Sequence, residues 1–503
     1  MSPLLILLFV LGYFALLLGI AFYTSRGADN ETFFIGKKKS NWLLVAYGMI
    51  GTSLSGVTFM SVPGEVQQKG FAYLQVVIGY FLGYLAVAYL LLPLYYRLNL
   101  TSIYTYLQSR LGEKSYKTGA AFFLLSRTLG ASIRIYLVLI VLQHFLLDAL
   151  QIPFVVSVLA IMLMILLYTF QGGVKTIVWT DTLQTTGMIL ALLLTIVLIY
   201  DSIRLPVSDL LQLATERGYT KIFQTDNFLA GNYFLKQIIG GAFITIAMTG
   251  MDQEMMQKNI SVRTLAESRK NMLLFSVIVV IVNILFLILG AALYLYISHY
   301  GIPVPARSDE TFAVVALQYL PPVASLIFIV GLVSALFPSA DGALTALTSS
   351  FCIDILGIRG RSEWSAAKQQ KIRKAVHLSI TALFIALILY YRIALEASVI
   401  STILKIAGYT YGPLLGLFTF GMFTKRKTDE RYVPWVCVIS VVICILLTMP
   451  FSSDWLLGGK APAFIAAYEK WRLNMLGGYQ FGLELLPING FITFTGLYLL
   501  SKK

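Results

Sequence analysis

The chain has 503 residues, of which 58% are hydrophobic and only 12% charged, about half the charge (roughly 25%) that a soluble protein carries. That shortfall excludes a soluble multidomain protein, and no polar half or long linker divides the sequence. The formal net charge of +14 fits either nucleic-acid binding or membrane topology, and the positions of the basic residues decide between them.

A helix crossing about 30 Å of hydrocarbon needs about 20 apolar residues. About thirteen such stretches occur, at 2–24, 41–67, 71–97, 118–147, 153–171, 177–201, 232–256, 271–298, 318–353, 374–391, 393–422, 432–452 and 484–500. The fold class is therefore all-α integral membrane. The first stretch lacks a basic flank and is too long for a signal peptide, so it reads as a true span.

Basic residues recur after every second span. Lys37, Lys38 and Lys39 follow the first, and Arg97, Arg110, Lys114 and Lys117 the third. Lys175 follows the fifth, and Lys258, Arg263, Arg269 and Lys270 the seventh. Arg359, Arg361, Lys368, Lys371, Arg373 and Lys374 follow the ninth; Lys425, Arg426, Lys427 and Arg431 follow the eleventh; Lys502 and Lys503 end the chain. Alternate loops lie on one side of a membrane, and the positive-inside rule makes that side cytoplasmic. The N-terminus is then outside and the C-terminus inside, in a plasma or inner membrane. This topology accounts for the basicity without nucleic acid. The longer loops near 202–231, 299–317 and 453–482 fall outside.

Span 2 carries Gly48, Gly51, Gly56, Pro63 and Gly64, with Thr52, Ser53, Ser55 and Thr58 among them. Glycine and proline are poor helix formers, and unwound backbone at membrane depth must line a protein cavity. Span 7 carries Gly240, Gly241, Thr245, Thr249 and Gly250. Interrupted helices at matching positions of two halves point to a transporter site; close helix packing through small residues is the alternative. Cys352, Cys437 and Cys444 sit in apolar context without metal-ligand spacing and read as small buried residues. Histidine is nearly absent, and no nucleophile elbow or phosphate loop occurs, which argues against an enzyme.

The stretches FFIGKKKSNW, SLSGVTFMSVPGEVQQKGFAYL, TSIYTYLQSRLG, YTFQGGVKTIVWTDTLQ, MDQEMMQKN, SALFPSADGALTALTSSFCIDIL and GYTYGPLLGLFTFGMF resemble the sodium:solute symporter family. GGVKTIVWTDTLQ is the most specific. SLSGVTF and PGEV look closest to the branch carrying monocarboxylates, vitamins and iodide. The resemblance implies a LeuT-type fold of two inverted five-helix halves with two broken helices. Residues 1–40 would be an added helix and cytoplasmic loop, 41–425 the transport core, and 426–503 two added helices.

The resemblance also implies sites. A sodium ion would be held by carbonyls of Gly51 and Leu54, by Ala335, and at positions Pro338 and Ser339; proline there departs from the family hydroxyl and frees the carbonyl of Ser334. Asp181 matches an aspartate that, in some members, helps bind a second sodium. Its serine partners are replaced here by Asp341 and Gly342, giving a charge-rich site for sodium or a proton. Lys405 lies mid-span, where a lysine needs water, an acid or a substrate anion; Asp181 or Asp341 is a candidate partner. Arg134 matches an arginine that clamps the carboxylate in sialic-acid carriers, with Ser53, Ser55, Thr58, Phe71 and Gln75 as further contacts and Phe243, Thr245 and Met248 as weaker ones. Arg127 reads as structural.

Sodium (one or two ions) with no organic cofactor, a small-molecule substrate, a lipid bilayer and action as a monomer follow. The function implied is a sodium-coupled symporter of a small organic anion such as a sialic acid or monocarboxylate. A sugar or other neutral solute as cargo, and a channel, uniporter or sensor on the same scaffold, are the alternatives.

Overall fold

The glycine- and hydroxyl-rich run of the second span folds as two helices rather than one. In the computed structural model, which describes residues 3–24, 40–100, 102–361, 363–394, 399–448 and 463–502, α1 (Pro3–Thr24) precedes α2 (Trp42–Ser53) and α3 (Gly56–Gly64), which meet at 55°. Next come α4 (Tyr73–Arg97), α5 (Glu113–Leu150) and α6 (Phe154–Ile203). A second bent pair, α7 (Phe234–Gly250) and α8 (Gln253–Ile260), turns by 63°. The chain continues through α9 (Leu265–His299), α10 (Pro322–Ile355), α11 (Ala366–Ala394), α12 (Val399–Thr410), α13 (Gly412–Phe423), α14 (Val433–Thr448) and α15 (Leu485–Leu499).

Three details differ from the expected spans. The fifth and sixth spans are one continuous helix, α6, with no proline inside it to interrupt it. Fifty residues at about 1.5 Å each exceed one crossing more than twofold; within it Thr176–Ile203 is long and apolar enough to cross a bilayer, and Phe154–Leu167 is a shorter apolar segment. The eleventh span is divided at Tyr411 into α12 and α13. The seventh breaks at Met251 and Asp252 rather than among its glycines. Gly241 instead lies against the carbonyl of Val76, and Gly79 against that of Ile238, so the small residues bring α4 and α7 into backbone contact.

The apolar side chains form one continuous core. α1 belongs to it: Phe14 stacks on Phe337 at 6.3 Å, and Ser334 donates to Tyr13 at 2.9 Å. Cys352, Cys437 and Cys444 are buried and unbridged.

The connections gather into two groups. Ser40 bonds to the carbonyl of Ser261 at 3.1 Å, Arg110 donates to the carbonyls of Gly421, Thr424 and Arg426, and Lys427–Thr428 pairs antiparallel with Ser501–Lys502. The basic connections after the first, third, seventh and eleventh spans thus meet one another and the C-terminal strand. Lys37, Lys38, Lys39 and Lys503 lie outside the described residues, as do 453–462 of the long loop. In the other group, Gln480 bonds to the carbonyl of Leu229 at 2.8 Å, and Gln224 to the side chain of Gln75 at 3.2 Å. Helices Val207–Glu216 and Ala463–Met475 occupy two of these longer connections.

Candidate functional site

The break between α2 and α3 leaves backbone polar groups open. The N–H of Leu54 still reaches Ile50, and that of Phe59 begins the next helix on Ser55. No backbone N–H returns to the carbonyls of Gly51 or Leu54 among the described residues. At membrane depth such carbonyls need another partner. Gly51 packs at this point against Thr185, whose hydroxyl accepts its N–H at 3.0 Å, and its absent Cβ would stand 3.4 Å from Pro338. Ala335, Pro338, Ser339, Asp341 and Gly342 are all buried on α10, and the Ser339 hydroxyl has no hydrogen-bond partner among the described residues. α10 runs through Pro338 without a break. The structure thus brings Gly51 to Pro338 and buries the rest of the expected sodium set around the same helices.

The second break is closed. Tyr95 donates to the carbonyl of Gly250 at 2.7 Å, and Tyr104 to that of Met251 at 2.9 Å. Asp252 caps α8 by accepting from the N–H groups of Glu254 and Met255, and takes the Tyr411 hydroxyl at 2.8 Å. Of the two breaks, the first is therefore the one whose carbonyls have no partner among the described residues.

α8 carries a buried charge network, and Lys258, expected in the basic loop after the seventh span, belongs to it. Lys258 is 3% exposed and reaches Asp181 Oδ2 and Thr52 Oγ1, both at 2.6 Å. Glu254 pairs with Arg127, and its other oxygen lies 3.9 Å from Lys258. Gly342 leaves room for that carboxylate, since a Cβ there would overlap Glu254 Oε1. The signal for this arrangement was Asp252: an aspartate before Gln-Glu-Met-Met is a helix N-cap, so Lys258 sits one turn into a new helix rather than beyond an old one. Among the described residues Lys405 pairs with neither Asp181 nor Asp341. On α12, Ile400, Ile403, Ala407 and Thr410 form the buried face, and Lys405 is exposed on the other side.

Beside the first break lies a cavity lined by Ser53, Ser55, Thr58, Arg134, Thr245 and Met248, all expected from the sequence, together with Tyr73, Tyr80, Tyr84, Arg127 and Asn283. Arg134 forms no hydrogen bond or ion pair with the described residues, whereas Arg127 is committed to Glu254. Tyr84 and Ser53 hydroxyls lie 3.3 Å apart, and Tyr73 and Tyr80 hydroxyls 3.2 Å. Asn283 Oδ1 is buried without a partner among the described residues. Asn283 was not foreseen, because a lone asparagine in an apolar helix carries no distinguishing spacing. Phe71, Gln75 and Phe243 are not among the lining residues. The Gln75 amide is used structurally, donating to the carbonyl of Ala72 at 2.9 Å and accepting from Gln224.

Residues 33–431 match the profile of the sodium:solute symporter family. The sodium/sialic acid symporter of Proteus mirabilis is 25% identical over 451 residues, covering 86% of this chain and 87% of its own. The sodium-coupled monocarboxylate transporter 1 of Mus musculus is 26% identical over 420 residues, covering 80% of this chain and 66% of its own. A solved structure of a Na+-coupled sialic acid symporter, substrate-bound and outward-open, superposes with a TM-score of 0.82 at 19% identity, covering 99% of this chain and 98% of that one. This likeness identifies the fold as that of the LeuT-type transporters.

Proposed function

The chain belongs to the sodium:solute symporter family, and from that premise we propose that it imports a small organic anion, of the sialic-acid or monocarboxylate class, together with sodium. Its relatives include carriers of both classes. The observation that carries the choice of an anion is Arg134: a guanidinium facing a polar cavity, without a carboxylate partner among the described residues. Arginine keeps its charge at any accessible pH and pairs with carboxylates in bidentate fashion. Ser53, Ser55 and Thr58 stand on the broken helix beside it, and Tyr73, Tyr80 and Asn283 supply further polar groups.

Sodium is a hard cation that favours oxygen ligands, as other hard cations do. The open carbonyls of Gly51 and Leu54 and the unpartnered hydroxyl of Ser339 are the oxygens that support a site between α2 and α10, with Ala335 contributing its carbonyl. Sodium would draw α2 and α3 toward α10, organise Ser53 and Ser55 for the substrate, and travel inward with it by alternating access. The basic connections that meet one another support a cytoplasmic location for that end. We take the monomer as the functional unit.

The test is uptake into proteoliposomes under a sodium or a potassium gradient, with a sialic acid, a monocarboxylate and a neutral sugar compared. Sodium-dependent accumulation of an anion is the expected result, and loss of that uptake in Arg134→Gln links it to the cavity.

A further inference from the structure

We propose that the second cation position of this transporter is filled by its own Lys258, so that transport runs on a single sodium ion. The inference rests on the sodium-symport reading above and deepens it.

Asp181 is fully buried on α6. An ionised carboxylate at that depth is costly unless a cation stands beside it. The cation provided is the ammonium of Lys258, which reaches across from α8 to take Asp181 Oδ2 and Thr52 Oγ1, both at 2.6 Å. Glu254, on the same helix, lies 3.9 Å away, and Asp341 on α10 adds its field to the same ammonium. The ammonium thus receives a carboxylate, a hydroxyl and two more acidic neighbours from α2, α6, α8 and α10. Oxygen ligands and acidic charge are what a hard monovalent cation requires, and a strongly hydrated ammonium on a flexible stem makes the same demands. An ammonium fixed to the chain satisfies the acids without being released, so that position contributes no ion to the transport cycle. It also binds three elements: α2, next to the sodium carbonyls, α6, and α8 beyond the second break. This tethers the two broken helices to each other through Thr52 and Asp181.

The experiment counts sodium ions on the full-length protein in detergent, using 22Na+ as the probe and equilibrium binding as the readout. The native protein is expected to bind one sodium with a Hill coefficient of about 1, because that coefficient cannot exceed the number of sites. In Lys258→Met the acids lose their fixed cation, and a second sodium per chain with steeper binding is expected. Lys258→Met combined with Asp181→Asn removes both charges and returns the count to one. Two sodium ions on the native protein would overturn the proposal and leave sodium symport standing. No sodium on the native protein would overturn both. If Lys258→Met fails to fold, the native count still decides, and Lys258→Arg, which keeps the fixed charge, must also give one.

Discussion

Gly51 gives its backbone N–H to the hydroxyl of Thr185 at 3.0 Å, fixing the end of α2 to α6 where the helix breaks. The contact is close: a Cβ on Gly51 would stand 2.6 Å from Thr185 Oγ1. Gly51→Ala is therefore expected to push α2 away from α6 and α10, at about 1–3 kcal/mol for an overpacked core position. The sodium half-saturation of uptake should rise about tenfold, since 1.4 kcal/mol is tenfold in affinity. Thr185→Val removes only the hydrogen bond, about 1 kcal/mol, and should give a smaller shift in the same titration.

Ser339 separates a ligand role from a structural one. Its hydroxyl is buried without a partner among the described residues, so Ser339→Ala should leave the melting temperature in sodium-free buffer unchanged. If the hydroxyl coordinates sodium, its loss removes a contact to a charge, worth about 1.5–3 kcal/mol. The stabilisation that sodium confers on the protein should then require about tenfold more sodium or worse, which a thermal-shift titration reads directly.

Arg134 and Arg127 face one cavity with different duties. Arg127 holds Glu254, and Arg134 holds no acid among the described residues. Arg134→Gln should leave folding intact and weaken an anionic substrate by about 2–5 kcal/mol, the usual loss when one partner of a buried charge pair is removed. Arg134→Lys should recover part of that, because it restores charge without the bidentate fork. Arg127→Gln should instead lower thermal stability, because it leaves Glu254 buried beside Lys258 alone.

Gly342 is required by the carboxylate packed against it. In Gly342→Ala the added methyl takes the place of Glu254 Oε1, and displacing that group breaks its pair with Arg127. Breaking a buried ion pair costs about 3–5 kcal/mol, so a clear fall in melting temperature is expected. The additional substitution Glu254→Ala, which vacates the space, should not lower it much further.

Much of this was legible in the residues themselves. The first break could be read because glycines and hydroxyls are interleaved over one short run from Gly48 to Thr58. Of the expected site residues on it, Ser53, Leu54, Ser55 and Thr58 line one cavity with Arg134, Thr245 and Met248, and Gly51 packs against Thr185 instead. The second break is less legible: the glycines of 240–250 serve helix contact, and the break follows Met251 because Asp252 starts a new helix. That displacement moved Lys258 from a basic loop into the protein interior. Lys405 stood out as a lysine inside an apolar run, yet the burial phase of α12 turns it outward, and phase is fixed by packing partners that composition does not reveal. Gln75 has the chemistry of a ligand contact, but a neighbouring loop uses both ends of its amide.

Whether sodium drives a carboxylate-bearing solute into the cavity around Arg134 is read from accumulation of radiolabelled sialic acid, monocarboxylate and neutral sugar in proteoliposomes, with sodium outside and potassium inside. Uptake above equilibrium is expected for an acid, abolished when potassium replaces external sodium and absent in Arg134→Gln. Accumulation of the neutral sugar alone, or anion uptake that is indifferent to sodium, would contradict it.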